Sequence, residues 1–133
     1  MTGRRRDAGG FTLIELMVVM SIIVTLATIG MVQYRQSVLF TREAVLRDDL
    51  FKMKEAIDQY YADKNEYPST LEDLVSSGYL RAMPKDPFTG SVSSWVPIPA
   101  EPDPNNPSAV GGVYDVKSGA EGTALDGSKY ADW

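Results

Sequence analysis

The sequence predicts an α+β protein in which a long N-terminal helix, membrane-spanning in its first half, packs on a short helix and a small antiparallel sheet. Residues 11–32 form a nearly uninterrupted apolar run, and residues 33–63 contain neither proline nor glycine. After Pro68 the chain alternates short apolar segments with turn residues. Long periodic segments favour helix, whereas short alternating segments bounded by proline and glycine favour strands.

The apolar run is long enough to cross a membrane. It reads FTLIELMVVMSIIVTLATIGMV and contains one charged residue, Glu15. At about 1.5 Å per residue these positions span roughly 33 Å, against a hydrocarbon core of about 30 Å. No other part of the chain is as hydrophobic, so a buried helix would lack partners. We predict a single transmembrane segment over residues 11–32.

The ten residues before this segment resemble a leader. Arg4, Arg5 and Arg6 precede the apolar run, and basic residues favour a cytoplasmic N-terminus. An ordinary signal peptide has an apolar region of about 7–15 residues followed by its small-residue cleavage site. Here the small pair Gly9-Gly10 comes before the run. The apolar segment is therefore expected to stay in the mature protein.

The second half of the helix, residues 33–63, is amphipathic. Its apolar stripe has spacings of 4, 3, 4 and 3 and consists of Leu46, Leu50, Met53, Ile57 and Tyr60. Val38 and Phe40-Thr41 extend this stripe upstream. This spacing predicts one helix from Thr12 to Asp63 whose last turns face a domain core. A coiled coil is the less favoured alternative, because about two heptads follow the pattern.

Pro68 ends the long helix, and the sequence then predicts small elements. Ser69-Thr70-Leu71-Glu72 fits a capping box that opens a short helix ending at Gly78. Residues Val92–Ile98 and Val113–Lys117 alternate in polarity and predict two strands. Between them, residues 97–109 are rich in proline and predict a stiff surface loop.

Composition excludes several function classes. The 133 residues include no cysteine and no histidine, which excludes disulfides, Cys/His zinc sites and Ser-His-Asp or Cys-His catalysis. A net charge of −5 argues against a nucleic-acid binder. Adjacent carboxylates such as Asp48-Asp49 and Glu72-Asp73 point in different directions on a helix. We therefore expect no enzyme activity.

The segment GGFTLIELMVVMSII resembles the N-terminus of the type IV pilin-like family, which includes type IV prepilins and type II secretion pseudopilins. The resemblance implies removal of leader residues 1–10 by cleavage between Gly10 and Phe11, and N-methylation of Phe11. It also implies that Glu15, at the fifth mature position, pairs with the N-terminus of a neighbouring subunit. The alternative for Glu15 is a stray polar residue near the interface, because a carboxylate inside a membrane helix costs about 2.5–3.5 kcal/mol.

The rest of the chain is most similar to the major pseudopilins. The resemblance is carried by YPSTLEDLVSSGYLRAMPKDPFTG, which includes Lys85-Asp86-Pro87-Phe88, and by the glycine-rich tail with its final Ala131-Asp132-Trp133. Many relatives have proline where this chain has Val32, so helix melting on assembly would depend on Gly30. The Pro-rich loop replaces a usual strand region, which predicts a reduced sheet.

The resemblance implies a structural subunit of a type II secretion pseudopilus. It would lie in the bacterial inner membrane as a single-pass protein, with residues 33–133 forming a periplasmic pilin-like domain. Its implied partners are copies of itself, minor pseudopilins, the inner-membrane assembly platform and prepilin peptidase. The alternatives are a type IV pilin of a surface fibre, disfavoured by the absence of cysteine, and a membrane-tethered periplasmic binding module.

The resemblance implies calcium as a possible cofactor. Related pseudopilins bind one calcium ion in a C-terminal loop, and the corresponding candidates here are Glu121, Asp126, Ser128 and Asp132. Calcium prefers six to eight oxygen ligands, so carboxylates, a hydroxyl and carbonyls such as that of Tyr130 would suit it. The alternative is an ordinary solvated acidic tail with turns at Gly119, Gly122 and Gly127.

Overall fold

The computed structural model describes residue 3, residues 9–107 and residues 111–133. Helix α1 spans Leu13–Lys64 and helix α2 spans Glu72–Ser76. Strands β1 and β2 span Val96–Pro99 and Val113–Lys117, and a 3₁₀ turn at Tyr130–Asp132 ends the chain. The chain forms two compact units, Met1–Val38 and Leu39–Trp133, and α1 contributes to both. The prediction of an α+β fold with a long helix, a short helix and a small antiparallel sheet is confirmed.

The first half of α1 is apolar on every side and exposed. Among the described residues one helix is long and apolar enough to cross a membrane, with a mean hydropathy of 2.3 over 18 residues and none of that window buried. Its hydroxyl groups are bonded within the helix: Ser21, Thr25 and Thr28 each donate to the carbonyl four residues earlier at 2.8 Å. Such internal bonds suit a segment without surrounding water. The helix continues through Gly30.

The second half of α1 contributes one side of the hydrophobic core of the domain. The five residues of the predicted stripe are all buried, namely Leu46, Leu50, Met53, Ile57 and Tyr60. They pack with residues from the rest of the domain, among them Leu74, Trp95 and Val116. The upstream extension of the stripe was wrong at Phe40, which is 66% exposed. Phe40 lies only two residues inside the domain unit, before the packed part of the helix begins.

The start of α2 differs from the predicted capping box. The helix begins at Glu72, and the residue before it makes no capping bond with its side chain. Instead, the Asp73 carboxylate accepts a hydrogen bond from the backbone N–H of Thr70 at 3.0 Å. The capping bond therefore joins residues 70 and 73 and not the predicted residues 69 and 72. The chain bends at residues 69–71 before the helix forms.

The sheet consists of two antiparallel strands, with Val96 opposite Lys117 and Ile98 opposite Asp115. Strand β2 has the predicted bounds, whereas β1 begins four residues later than Val92 and extends to Pro99. The Pro-rich loop therefore begins at residue 100 rather than 97. Proline has no N–H to donate but fits an edge strand, so it does not end the pairing. Part of this loop, residues 108–110, lies outside the described residues.

Candidate functional site

The predicted cleavage junction is open. Gly9, Gly10 and Phe11 precede α1, and Phe11 is 86% exposed. A Cβ atom built on either glycine would meet no described atom within 4 Å. Gly9, Gly10 and Phe11 are all exposed, and such exposure favours proteolysis. Leader residues Arg4, Arg5 and Arg6 lie outside the described residues.

Thr12 and Glu15 form a reciprocal cap at the start of α1. The backbone N–H of Glu15 donates to Oγ1 of Thr12 at 3.2 Å, and the N–H of Thr12 donates to Oε2 of Glu15 at 3.4 Å. These two bonds satisfy N–H groups that have no partner within the helix. The helix dipole also favours negative charge at this end. Glu15 thus has a local role that the sequence interpretation missed, although the pattern T-x-x-E was visible.

Glu43 links α1 to the C-terminal tail. It lies three residues before Leu46, at the next position of the apolar stripe, and only 6% of it is exposed. Its Oε1 accepts the hydroxyl of Tyr130 at 2.8 Å and the backbone N–H of Leu125 at 2.9 Å. A buried carboxylate requires such bonds, since an unsatisfied one is costly. A glutamate within an apolar stripe was the available sequence signal for this contact.

Arg47, one turn after Glu43, completes a ring of contacts with the tail. Its Nη2 donates to Oδ2 of Asp126 at 3.0 Å, and its guanidinium lies 4.3 Å from the ring centroid of Trp133. Nε1 of Trp133 donates to Oγ of Ser128 at 2.7 Å. The same hydroxyl donates to Oδ1 of Asp126 at 2.6 Å. The four side chains therefore form a closed cycle.

Two pKa shifts reflect these contacts. Two hydrogen bonds from Ser128 hold the pKa of the Asp126 carboxyl below its usual value, and the charge of Arg47 lowers this pKa further. Burial, together with the bond to Glu43, raises the pKa of Tyr130 to about 12. Asp126 therefore favours its charged form and Tyr130 its neutral form.

The four predicted calcium ligands are placed as follows. Asp126 and Ser128 are bonded to each other and belong to the ring with Arg47. Glu121 and Asp132 are both exposed. In the described part of the chain, no three acidic side chains come together in a way that could hold a metal ion. Calcium binding stays a prediction, but this arrangement of the four residues does not fit a calcium cage.

Asp86 lies directly before a turn at residues 87–89 and joins this turn to the start of the tail. It is fully buried. Its Oδ1 accepts the backbone N–H groups of Phe88 at 2.8 Å and Thr89 at 3.3 Å, and its Oδ2 accepts the hydroxyl of Ser118 at 3.1 Å. Because Ser118 immediately follows β2, Asp86 positions the beginning of the glycine-rich segment.

The chain is similar in sequence to one described family motif and to several curated proteins that share one name. Residues 5–31 match a family described as the prokaryotic N-terminal methylation motif. The type II secretion system core protein G of Pseudomonas aeruginosa is 35% identical over 101 residues, which cover 64% of this chain and 71% of that protein. The protein of the same name from Klebsiella michiganensis is 29% identical over 103 residues, which cover 65% of this chain and 72% of that protein. The one from Aeromonas hydrophila is 29% identical over 101 residues, which cover 64% of this chain and 71% of that protein. No solved structure matches the chain.

Proposed function

The chain belongs to the family of the type II secretion system core protein G, and on that premise we propose that it polymerises from the inner membrane into a periplasmic filament that drives protein export. The chain is a pseudopilin subunit, a structural protein whose apolar N-terminal helix is its membrane anchor. The observation that carries the proposal is the junction of an open Gly-Phe bond with a capped helix that has a carboxylate in its first turn.

We propose that prepilin peptidase removes residues 1–10 and that the new N-terminus, Phe11, is methylated. The methylation motif covers this junction. Glycine at position 10 supports the proposal, since a residue without a side chain lets an enzyme approach the backbone closely. The basic leader supports a cytoplasmic N-terminus and a periplasmic C-terminal domain, because positively charged flanks remain on the cytoplasmic side.

The assembly role of Glu15 rests on charge. A carboxylate in an apolar environment is costly unless a positive charge or several hydrogen bonds compensate for it. The cap with Thr12 gives Glu15 one hydrogen bond from a neutral N–H at 3.4 Å. In a filament packed from apolar helices, the charged N-terminus of a neighbouring Phe11 would neutralise this carboxylate and fix the axial register. Minor pseudopilins and the assembly platform are the further partners we propose.

Mass spectrometry of the mature N-terminus tests the processing step. The full chain is expressed in a host with prepilin peptidase, and the expected product begins at Phe11 with one added methyl group. Gly10→Leu should accumulate as uncut precursor. Gly9→Leu, a change in an equally open neighbouring glycine, should be cut more completely. A mature protein that begins after residue 32 would overturn both the processing and the filament.

Isolation of fibres tests polymerisation. Fibres sheared or purified from cells should contain the processed chain as their main subunit. A chain that stays dispersed in the membrane in the presence of the complete secretion machinery would instead indicate a tethered binding module. Fibres on the outer surface of cells with normal levels of the machinery would indicate a type IV pilin.

A further inference from the structure

The C-terminal tail contacts α1 through two side chains of that helix, Glu43 and Arg47. We infer that these contacts, here called the tail clamp, fasten the tail without a metal ion and occupy the place where the resemblance implies calcium. The tail clamp consists of Glu43 with Leu125 and Tyr130, and of Arg47 with Asp126, Ser128 and Trp133.

Asp126, one of the candidate calcium ligands, already has partners on both carboxylate oxygens. Oδ1 of Asp126 accepts the N–H and the hydroxyl of Ser128 at 2.9 and 2.6 Å, and Oδ2 accepts Arg47 at 3.0 Å. A calcium ion bound to Asp126 would have to displace the guanidinium or lie beside a second positive charge. The cation that neutralises Asp126 is therefore Arg47 itself.

Arg47 is held in place from two directions. Its guanidinium meets the carboxylate in one direction and the face of Trp133 in another, 4.3 Å from the ring centroid. Tyr130 meets the same indole edge-on at 5.2 Å. A planar guanidinium can pair with a carboxylate and stack on an aromatic ring at the same time, which a lysine ammonium does less well. The contact thus depends on arginine and not on positive charge alone.

Glu43 accepts hydrogen bonds from partners that are 82 and 87 residues away along the chain. Its carboxylate fixes a backbone N–H and a side-chain hydroxyl of the tail from the buried side. Phe88 stacks on Tyr130 at 4.3 Å and closes this region. Together, Glu43 holds the tail at its buried edge and Arg47 holds it at its exposed edge. Both edges of the tail are then fixed by protein groups.

Fluorescence melts of the full chain in detergent micelles test the tail clamp. Both tryptophans, Trp95 and Trp133, lie in the domain unit, so their emission reports on this unit. The wild-type chain is melted with calcium, with magnesium and with a chelator. We expect the same midpoint in all three, since a ligand that binds the folded state would raise the midpoint by mass action. A higher midpoint in calcium alone would overturn the inference.

Substitutions at Arg47 supply the second arm. Arg47→Met keeps an unbranched, flexible side chain, removes the guanidinium and its charge, and should lower the midpoint by about 4–8 °C. Quenching of Trp133 by acrylamide should increase, and Arg47→Lys should restore neither property fully. Arg42→Met is the matched control, because Arg42 is exposed on the same helix and forms no ion pair within the described residues. Equal behaviour of Arg47→Met and Arg42→Met would overturn the inference.

Substitutions at Glu43 test the buried half. Glu43→Ala leaves the N–H of Leu125 and the hydroxyl of Tyr130 unpaired and should lower the midpoint by about 10 °C or more. Glu43→Gln retains an oxygen acceptor and should lose less. If Glu43→Ala melts like the wild type, the buried contact does not fasten the tail. If Glu43→Ala does not fold, the melting midpoints of Glu43→Gln and Arg47→Met are compared with that of the wild type. Lower midpoints support the tail clamp, and unchanged midpoints overturn it.

Discussion

Replacing Glu15 with glutamine removes the charge but keeps an oxygen that can accept the N–H of Thr12. Replacing Thr12 with alanine does the opposite, because it removes the hydroxyl that accepts the N–H of Glu15 at 3.2 Å and leaves the carboxylate. The two variants therefore separate the helix cap from the charge. If the charge is what assembly requires, Glu15→Gln and Glu15→Ala should both impair it, whereas Thr12→Ala should not.

The two effects differ in size. Loss of a threonine N-cap costs about 0.5–2 kcal/mol, and the cost falls on the monomer and the filament alike. Loss of one partner of a buried ion pair costs about 3–5 kcal/mol, because it leaves the other charge uncompensated. At about 1.4 kcal/mol per factor of ten, that corresponds to a rise of roughly 10²- to 4 × 10³-fold in the concentration needed for assembly. Insertion of Glu15→Ala into the membrane should be normal or improved, since a carboxylate costs about 2.5–3.5 kcal/mol there.

The assay measures the fraction of subunits recovered in sheared fibres and the fraction in the membrane at matched expression. Thr12→Ala should distribute like the wild type, and both Glu15 variants should remain in the membrane. Equal losses in Thr12→Ala and Glu15→Gln would show that the cap, and not the charge, explains the effect. Normal fibre yield from Glu15→Gln would show that charge pairing is not needed.

Three further predictions concern the domain. Asp86→Ala should lower the free energy of unfolding by about 3–5 kcal/mol, measured by urea titration, because it leaves two backbone N–H groups and a buried hydroxyl without their acceptor. Gly119→Ala should cost about 1–3 kcal/mol in the same assay, since its Cβ would overlap the carbonyl oxygen of Ser94. The domain should also lose stability at alkaline pH. The pKa of Tyr130 is raised from 10.0 to about 12 by burial and by Glu43, so its stabilisation is complete below pH 10 and is lost as the pH approaches 12.

Each of these predictions has a matched control. Asp86→Asn keeps one oxygen acceptor and should cost less than Asp86→Ala; equal costs would contradict the role of the hydrogen bonds. Gly30→Ala adds a methyl group where a Cβ meets no described atom within 4 Å, and it should leave the domain unchanged. Tyr130→Phe should flatten the alkaline loss of stability, and an unchanged pH profile in this variant would assign the loss to another group.

The sequence was a good guide wherever the structure follows from local periodicity. The five stripe residues of α1 are buried because their spacing of three and four places them on one helix face. The helix ends at Lys64, one residue after the predicted Asp63, because Asn65 adopts a left-handed backbone conformation with φ 55° directly after it. Strand β2 was predicted with its exact bounds, although its buried residues, Val113 and Val116, lie three positions apart and do not alternate. The start of β1 was not, since residues 92–95 have two adjacent serines, do not alternate strictly and pair with no described strand.

Contacts between distant parts of the chain were beyond these patterns. Glu43 and Arg47 are separated by 79 to 87 residues from their partners in the tail. No local spacing identifies such partners, because they come together only when the domain core forms. The acidic residues of the tail were therefore interpreted together as a calcium site, and Arg47 was not identified as a partner of Asp126.

Glu15 and Glu43 are carboxylates of α1 that lie among apolar residues of the sequence. We expect Glu43 to act within its own subunit and Glu15 to act between subunits. An ionised carboxylate offers about four acceptor sites. Glu43 is buried and accepts two bonds shorter than 3.0 Å, both from its own tail, so its requirement is met when the domain folds. Glu15 accepts, from the described residues, one bond at 3.4 Å. In an apolar filament core this bond leaves the charge uncompensated. A positive group must then come from another subunit, and this makes Glu15 the carboxylate on which assembly should depend.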